Sequence, residues 1–260
     1  MLAQQRQAVI AERVRSHGAV RVAELVEEFG VSDMTIRRDL ETLADRGLVS
    51  KVHGGATAVD IGSTDEPGFA AKSVRQKEAK EAIAAAAAKL VTPGQAIALS
   101  GGTTTWTLAH HLVGVAGLTV VTNSVPVADV FYRSGRGDQT VILTGGIRTP
   151  SDALVGPFAV ASLKSINVDT LFLGVHGVNA TAGFTTPNLM ESETDKALIA
   201  AARKLVVVAD STKWEIVGIR TIACPDDADV LVTDAGLPEE ARAALREAVG
   251  QLIIAGEDNR

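Results

Sequence analysis

Apolar residues recur at helical spacing in three short stretches near the start of the chain. They are Val9, Ile10 and Val14, then Val22, Leu25, Val26 and Phe29, then Ile36, Leu40 and Leu43. Side chains three or four positions apart share one face of a helix, so these stripes predict helices over residues 3–17, 22–29 and 33–46. Three amphipathic helices can enclose one small hydrophobic core.

The residues between and after these helices have the chemistry of turns. Gly30 favours the left-handed conformation that ends a helix, and Ser32 is a good N-cap for the next one, which predicts a helix-turn-helix. An extended segment follows, with a Gly54–Gly55 turn after it. One side of that segment holds Leu48, Ser50 and Val52, and the other holds Val49, Lys51 and His53. A strand, a tight turn and a second strand predict a wing.

The hydrophobic pattern changes over residues 58–76, where Gly, Pro, Ser and Asp interrupt the periodicity. From residue 77 onward, helical stretches alternate with short apolar runs such as "LTVVT" and "KLVVVAD". Strand followed by helix, repeated, predicts a mostly parallel sheet covered by helices. We therefore assign residues 1–58 to a winged helix-turn-helix domain, 59–76 to a linker and 77–260 to an α/β domain.

Composition agrees with this α/β assignment and restricts the possible partners. The 260 residues are 46% hydrophobic but only 3% aromatic, so Ala, Val, Leu and Ile must form the core, which suits parallel strands. The single cysteine cannot form an internal disulfide, no leader-like stretch opens the chain, and no apolar run reaches the roughly 20 residues of a membrane helix. We expect a cytoplasmic protein. Because the net charge is -6, any nucleic-acid contact must come from a local basic patch.

Such a patch lies at the start of the third helix. If Ile36 points to the core, Arg38 faces almost directly away from it and Arg37 lies on the flank. Guanidinium groups bind guanine edges or phosphates. The predicted DNA-contact set is Ser32, Thr35, Arg37, Arg38, Lys51, His53 and Gly54. The alternative is a solvated surface, because Asp33, Arg37 and Glu41 have the spacing of ion pairs along a helix.

Small and polar residues follow the predicted strands of the second domain. Ligands bind at the carboxyl ends of parallel strands, and a Gly-rich turn that opens a helix can hold an anion such as phosphate. The predicted pocket comprises Ser100, Gly101, Gly102, Thr103, Thr104, Thr105, Asn123, Ser124, Gly145, Gly146, His176, Gly177 and Lys213. Each also has a structural interpretation, as a tight turn, a buried histidine or a solvated lysine. Their common position favours an anionic ligand.

Long runs of this sequence resemble one protein family. The stretch "VAELVEEFGVSDMTIRRDLETLADRGLVSKVHGGA" resembles the winged helix of the DeoR family of bacterial transcriptional regulators, and "GTTTWTLA", "VVTNS", "LFLGVHGV", "GFTT" and "ADSTK" resemble its effector domain. The resemblance implies a fold similar to ribose-phosphate isomerase, glucosamine-phosphate deaminase and CoA transferases, and a phosphorylated sugar as effector. It further implies that residues 102–105 hold the phosphate, that Asn123 and Ser124 shape the sugar site and that Lys213 binds an anionic or hydroxyl group.

The chain departs from the family pattern at one position. The family commonly has Asp where this sequence has Ser100, so a carboxylate that accepts hydrogen bonds from sugar hydroxyls is missing. Glu191 and Asp195, on a predicted helix after "GFTT", are candidates to replace it. The alternative, which we favour from the sequence, is that both belong to a solvated helix face beside Lys196.

Together these patterns predict a DNA-binding repressor of sugar-metabolism genes, whose affinity for operator DNA changes with a phosphorylated sugar. A two-fold operator requires at least a homodimer. The alternative is a sugar-phosphate isomerase or deaminase with an accessory N-terminal domain, for which Asp152, Glu191, Asp210 and Asp234 are possible bases. No motif pairs two of these carboxylates at a strand end, so we expect no catalytic residue and no enzyme. We also expect no cofactor, and no metal site because His and Cys lack ligand spacing.

Overall fold

The computed structural model describes residues 2–17, 19–52, 54–57 and 68–257. The chain divides into two compact units, Met1–Ile61 and Gly62–Arg260. None of the described helices is both long enough and apolar enough to cross a membrane.

The first unit is a helix-turn-helix with a small sheet. Its elements are α1 (Ala3–His17), β1 (Ala19–Arg21), α2 (Val22–Phe29), α3 (Asp33–Asp45), β2 (Ser50–Val52) and β3 (Gly55–Thr57). Gly30 ends α2 with φ 62°, and the Ser32 hydroxyl caps α3 by accepting from the Thr35 amide at 3.2 Å. β3 pairs antiparallel with both β1 and β2. The predicted winged helix-turn-helix is confirmed.

The core of the first unit joins the three helices to the wing. Its buried members are Ile10, Val14, Val20, Val22, Leu25, Ile36, Leu40, Leu43, Val49 and Ala56. One detail of the predicted pattern is wrong, because Val9 is exposed on α1. In the extended segment after α3, Val49 is buried and Val52 is exposed, on opposite sides as predicted. The chain leaves α3 through Gly47, which has φ 71°, and this turn directs Val49 inward before β2 begins.

A buried ion pair fastens α1 to α3. The Arg6 guanidinium donates to one Asp39 carboxylate oxygen at 2.6 Å, and both side chains are more than nine-tenths buried. The Gln7 amide donates to the other oxygen at 2.9 Å. Each buried charge therefore has a hydrogen-bonded partner, as burial in a low-dielectric core requires.

The second unit alternates helices and strands along most of its length. Its helices are α4 (Phe69–Ser73), α5 (Lys77–Ala88), α6 (Thr103–Leu112), α7 (Val125–Ser134), α8 (Pro157–Leu163), α9 (Leu189–Ala200) and α10 (Glu239–Ala248). Its strands are β4 (Ala96–Leu99), β5 (Thr119–Thr122), β6 (Thr140–Leu143), β7 (Ile147–Arg148), β8 (Leu154–Val155), β9 (Thr170–Gly174), β10 (Gly177–Asn179), β11 (Gly183–Thr186), β12 (Leu205–Val208), β13 (Arg220–Ala223), β14 (Val230–Asp234) and β15 (Leu252–Ala255).

Seven parallel strands form the central sheet in the order β15-β14-β12-β9-β4-β5-β6. Each face of the sheet has its own hydrophobic core. Ile97, Leu99 and Phe172 pack against α5, α6 and α7. Ala98 and Leu173 pack with side chains of α8, α9 and α10 on the opposite face. The predicted α/β architecture is confirmed, and its parallel strands end at one shared edge.

Several features of the second unit were not predicted from the pattern. β15 follows the last helix and extends the sheet, and β10, β11 and β13 form a separate antiparallel sheet. α4 lies inside the predicted linker 59–76. Its Phe69 ring packs edge-on against Trp106 of α6 with centroids 5.8 Å apart, and the Phe69 amide donates to the Pro150 carbonyl at 2.9 Å. Residues 69–73 therefore form part of the second unit.

Candidate functional site

The start of α3 presents the predicted DNA-contact residues to solvent. Arg37 and Arg38 are exposed, and so is Met34, one turn before Arg38. The Ser32 and Thr35 hydroxyls lie 2.8 Å apart within the cap of the helix. The helix N-terminus therefore offers hydroxyl groups, cations and one apolar side chain on one accessible surface, which suits contact with DNA.

The two adjacent arginines differ in their partners. Arg37 donates to Asp33 through Nε at 2.5 Å and through a terminal nitrogen at 3.3 Å, and this pair raises the pKa of Arg37. Among the described residues, the Arg38 guanidinium has no hydrogen-bond partner. Arg38 is therefore the more available of the two for an external acceptor.

The described wing residues include one lysine, Lys51, whose charge is paired with a carboxylate of α3. The Lys51 ammonium donates to Glu41 of α3 at 2.7 Å, and this bond lowers the pKa of the Glu41 carboxyl. Gly54 is exposed with φ 81°, a backbone conformation that favours glycine. His53 lies outside the described residues. The DNA-contact assignments of Lys51, His53 and Gly54 remain predictions.

The N-terminus of α6 lies directly after β4, at the carboxyl edge of the central sheet. Thr103, Thr104 and Thr105 form the first turn of α6, and the first amides of a helix have no partner within it. The preceding Gly102 provides no capping side chain. A helix N-terminus with uncapped amides is a favourable position for an anion.

Other predicted residues of this turn hold the backbone in place. Ser100 is fully buried, and its hydroxyl accepts from the Gly174 amide at 2.9 Å, which ties β4 to β9. The Thr105 hydroxyl donates to the Ser100 carbonyl at 2.7 Å. A side chain at Gly101 would place its Cβ 2.6 Å from Cβ of Ala153. Ser100, Gly101 and Thr105 therefore hold the backbone of the turn in position.

Asn123 and Ser124 lie beside this turn, at the end of β5. The Asn123 amide oxygen accepts from the Gly101 amide at 2.8 Å, and its nitrogen donates to the Leu154 carbonyl at 3.3 Å. The Ser124 hydroxyl caps α7 by accepting from the Val127 amide at 3.3 Å. Both residues are buried, so the structure gives them a supporting role around the predicted phosphate turn.

Three predicted glycines have a backbone explanation. Gly145 and Gly146 have φ values of 76° and 126°, and a Cβ on Gly146 would lie 2.5 Å from the Val155 carbonyl oxygen. A Cβ on Gly177 would lie 2.1 Å from the Ile216 carbonyl oxygen. Gly146 and Gly177 are therefore needed for close chain approach, and Gly145 for its positive φ, whether or not a ligand binds. His176 follows β9, is half-buried, and donates its backbone amide to the Thr185 carbonyl at 3.1 Å.

Lys80 of α5 is a buried charged residue that the sequence analysis missed. It is only 5% exposed, and its ammonium donates to the Lys72 and Arg75 carbonyl oxygens at 2.6 and 2.7 Å. Burial lowers the pKa of Lys80 to about 8; the Asp210 carboxylate opposes this shift, while the charges of Lys213, Lys72 and Arg75 support it. The signal was present in the sequence, because Lys80 shares the otherwise apolar helix face of Ile83, Ala84 and Ala87.

Asp210 holds the turn that presents Lys213. It follows β12, is buried, and caps the short helical turn Ser211–Lys213 by accepting from the amide and hydroxyl of Thr212. The Lys213 amide donates to the Asp210 carbonyl at 2.9 Å. The Asp210 carboxylate favours the charged form of the buried Lys80 ammonium, and the Lys213 charge opposes it. Because burial disfavours this charge, an added anion would stabilise it.

Glu191 and Asp195 are not on a solvated helix face, so that interpretation is wrong. Glu191 is half-buried and accepts from the Thr149 hydroxyl at 2.8 Å and the Thr186 hydroxyl at 3.5 Å. Asp195 lies one turn further along α9 and is buried. Burial raises the pKa of the Asp195 carboxyl well above its usual range, and the Glu191 charge adds to this shift. The sequence missed this because the packing of α9 against β11 and β8 decides which face is covered.

The described residues contain one small cluster of potential metal ligands. Cys224, Asp226 and Asp227 offer ligand atoms within 4.8 Å of one another, and all three are exposed. The Asp227 carboxylate accepts from the Cys224 amide at 2.7 Å, which stabilises the local turn. The cluster therefore has a structural explanation.

Comparison with known families decides the assignment of both units. A family model described as "DeoR-like helix-turn-helix domain" matches residues 6–61, and one described as "DeoR C terminal sensor domain" matches residues 75–235. This chain belongs to the DeoR family. It is a DNA-binding transcriptional regulator with a sensor domain, and not an enzyme.

Relatives of this DeoR-family regulator match it over most of its length. It is 36% identical to the uncharacterized HTH-type transcriptional regulator YgbI of Escherichia coli K12, over 98% of this chain and 99% of that protein. It is 30% identical to the transcriptional repressor AccR of Agrobacterium fabrum, over 92% of this chain and 95% of that protein. The family and its relatives support a repressor over an isomerase. A solved ribose 5-phosphate isomerase A from Neisseria gonorrhoeae is also similar, with 18% identity, a TM-score of 0.41 and coverage of 55% of this chain and 56% of that one.

Proposed function

We propose that the carboxyl edge of the sensor sheet binds a phosphorylated sugar, and that binding lowers the affinity of the regulator for its operator in the cytoplasm. The observation that supports this best is the buried ammonium of Lys80, which donates to two backbone carbonyls and is acted on by the charges of Asp210 and Lys213. A phosphate with about two negative charges would stabilise the charged form of this ammonium.

We place the proposed phosphate between the ammonium groups of Lys80 and Lys213 on one side and the N-terminus of α6 on the other. The amides of Thr103, Thr104 and Thr105 and the helix dipole would bind phosphate oxygens, and the ammonium groups of Lys80 and Lys213 would supply opposite charge. The central sheet supports this arrangement, because β4 and β12 flank β9 and end at the same edge.

The sugar part of the ligand would contact the polar residues around that phosphate. The Glu191 carboxylate already accepts from two threonine hydroxyls. It is therefore the group we propose for sugar hydroxyls, in the role that the family's Asp would have at the position of Ser100. Asn123, Ser124 and His176 complete the proposed site, with Gly145, Gly146 and Gly177 shaping its walls.

The DNA-binding unit would bind operator DNA as part of a homodimer or larger oligomer. Arg38 is the residue we propose for a base or phosphate contact, because it is exposed and lacks a hydrogen-bond partner among the described residues. Ser32, Thr35, Arg37, Lys51, His53 and Gly54 are the proposed supporting contacts. The effector can change operator affinity only if it binds two arrangements of the protein unequally.

A fluorescence-anisotropy titration tests this proposal. The protein is titrated onto DNA from upstream of its own and neighbouring genes, with a panel of sugar phosphates and the matching free sugars. We expect one phosphorylated sugar to weaken the complex while its free sugar does not. Lys213→Ala should bind operator normally and lose the response, whereas the exposed Lys164→Ala should keep both. A response to the free sugar of equal strength would contradict the phosphate assignment.

A further inference from the structure

One edge of the sensor sheet exposes several apolar side chains. Strand β6 lies at the end of the central sheet and pairs only with β5 among the named strands. Five apolar side chains on or near this strand are between 38% and 84% exposed, and we call them the edge patch. They are Tyr132, Ile142, Leu143, Ile147 and Phe158. An exposed apolar cluster of this kind marks an interaction surface in a folded protein.

The edge patch lacks the charges that normally protect a sheet edge. Residues 139–147, "QTVILTGGI", contain no Asp, Glu, Lys or Arg. The nearest charged residues outside this run are Asp138, which binds Arg136, and Arg148, which binds Asp152. Sheet edges that stay in solvent usually have lysines, prolines or bulges that prevent pairing. This edge is therefore suited to pair with another strand.

The backbone of β6 also determines how such pairing can occur. The amides of Thr140 and Thr144 donate to β5, at 2.9 and 3.0 Å. In a parallel pair with this register, Ile142 also directs its amide and carbonyl to β5, so Val141 and Leu143 direct theirs away from the sheet. Two outward residues separated by one inward residue form an edge that is complementary to itself under a two-fold rotation.

We infer that the edge patch binds a second copy of this chain by antiparallel pairing of the two β6 strands. In this register Val141 of one protomer pairs with Leu143 of its partner, and the reverse, and the two Ile142 residues lie opposite each other on the two-fold axis. The two sheets then form one continuous sheet of fourteen strands, twice the seven of one protomer. The same contact would satisfy the outward backbone amides and carbonyls of β6 and cover its exposed apolar side chains.

The exposed side chains of the edge patch would add apolar area to the paired strands. Large aromatic side chains each bury roughly 150–250 Å² in an interface. Tyr132 lies on α7, which packs against β6, and Phe158 lies on α8, whose Ser162 hydroxyl donates to the Thr144 carbonyl just after β6. With the three aliphatic side chains they would supply several hundred Å², a substantial part of the roughly 800 Å² per partner in a standard interface. Because residues 139–147 carry no charge, the paired strands themselves bring no like charges together.

The biological use of this contact rests on the proposed function, since a two-fold dimer matches a two-fold operator. The contact itself is independent of DNA and effector. Its test therefore uses the full-length protein alone, in the absence of both.

Sedimentation equilibrium of the full chain provides the first test. We expect the wild type to be dimeric or larger at micromolar concentration, and Leu143→Lys and Phe158→Glu each to raise the dissociation constant at least about tenfold. Ile219→Lys, at an exposed apolar residue outside the edge patch, is the matched control and should leave the mass unchanged. A monomeric wild type, or patch variants that keep the wild-type mass, would overturn the inference.

A disulfide test fixes the register and does not depend on destabilising the strand. Opposite residues of a non-hydrogen-bonded antiparallel pair have Cα atoms about 4.5 Å apart, which is within the range of a disulfide. Ile142→Cys in a Cys224→Ser background should therefore form a cross-linked dimer on mild oxidation, and Ile219→Cys in the same background should not. Failure of Ile142→Cys to cross-link, in a protein that is dimeric by sedimentation, would place the interface elsewhere.

Discussion

Each unit of this protein buries charged side chains, but in different ways. In the DNA-binding unit, Arg6 and Asp39 form a pair of equal and opposite charges, with Gln7 as a further donor to the carboxylate. In the sensor unit, the buried Lys80 ammonium donates to two backbone carbonyls, and no carboxylate of the described residues forms a hydrogen bond with it.

Under the proposed function, this difference separates a structural charge from a binding charge. A buried pair with matched geometry has both charges compensated within the fold, so its role is to hold helices together. Burial disfavours the charge of the Lys80 ammonium, and a bound anion would offset that cost. The contrast can be tested by removing members of each group in turn.

The largest effect is expected from Asp39→Ala. It leaves the Arg6 guanidinium buried without its carboxylate, which should cost about 3–5 kcal/mol in the stability of the DNA-binding unit. Hydrogen exchange of the α1 and α3 amides should show lost protection, and operator binding should fall with it. Asp33→Ala removes an exposed carboxylate of the same helix and should cost only a few tenths of a kcal/mol. Equal protection in the two variants would refute a structural role for the buried pair.

Lys80→Met should have the next largest effect, on effector binding. Loss of a charge-assisted hydrogen bond to phosphate should weaken binding of the sugar phosphate by about 1.5–3 kcal/mol. Isothermal titration calorimetry with the effector found by the operator assay measures this directly. Lys77→Met, at an exposed lysine one turn earlier on α5, is the control and should bind like the wild type. Unchanged affinity of Lys80→Met would exclude its ammonium from the site.

Arg38→Ala should weaken operator binding by about 1–3 kcal/mol, the range for loss of one good contact to a base edge. The fold should be unaffected, since the Arg38 side chain is exposed. The measurement is a titration on operator and on random DNA at one fixed salt concentration. A loss confined to the operator indicates base contact, while equal loss on both indicates phosphate contact. No loss on either DNA would remove Arg38 from the interface.

The effector affinity should depend on pH above the lowered pKa of Lys80. The folded-state pKa of about 8 lies below the ordinary value of 10.5, so Lys80 loses its proton from about pH 8 upward. A phosphate monoester is already doubly charged there, because its second pKa is about 6. Affinity should therefore fall by up to about tenfold per pH unit above 8 in the wild type, and should stay flat in Lys80→Met. A flat wild-type profile up to pH 10 would contradict the role of the buried ammonium.

The same pKa shift has a consequence for stability, with the opposite sign. Because the charged form of Lys80 is disfavoured in the fold, its destabilising effect is fully present below pH 8 and disappears as pH rises to 10.5. The ligand-free sensor unit should therefore gain stability over this range relative to Lys80→Met. Urea denaturation followed by the fluorescence of Trp106 and Trp214 measures the difference.

The smallest effect is expected from Arg37→Ala. Its guanidinium pairs with Asp33 one turn away on the exposed face of α3, where solvent screening leaves such a pair little effect on helix stability. Operator affinity should fall less than in Arg38→Ala. An equal or larger loss would show that Arg37 exchanges Asp33 for DNA in the complex.

The sequence by itself determined most of the elements and the positions at which we propose the sites. Helical periodicity located α1, α2 and α3, and the alternation of apolar runs with helices predicted the parallel sheet, because both patterns follow from local backbone geometry. The rule that ligands bind at the carboxyl ends of parallel strands then directed attention to Gly102, Thr103 and Lys213. Local signals were sufficient for these assignments, since each depends on spacing along the chain.

Only the tertiary structure decided which polar groups lie together and which are buried. Lys80 and Asp210 are 130 positions apart in the sequence, and Glu191 meets Thr149 across 42 positions. Spacing along one helix gave no indication that α9 covers Asp195 or that α4 packs against Trp106. Burial and charge pairing depend on contacts between distant elements, so the cost of a buried charge, and hence its function, appears only once the chain is folded.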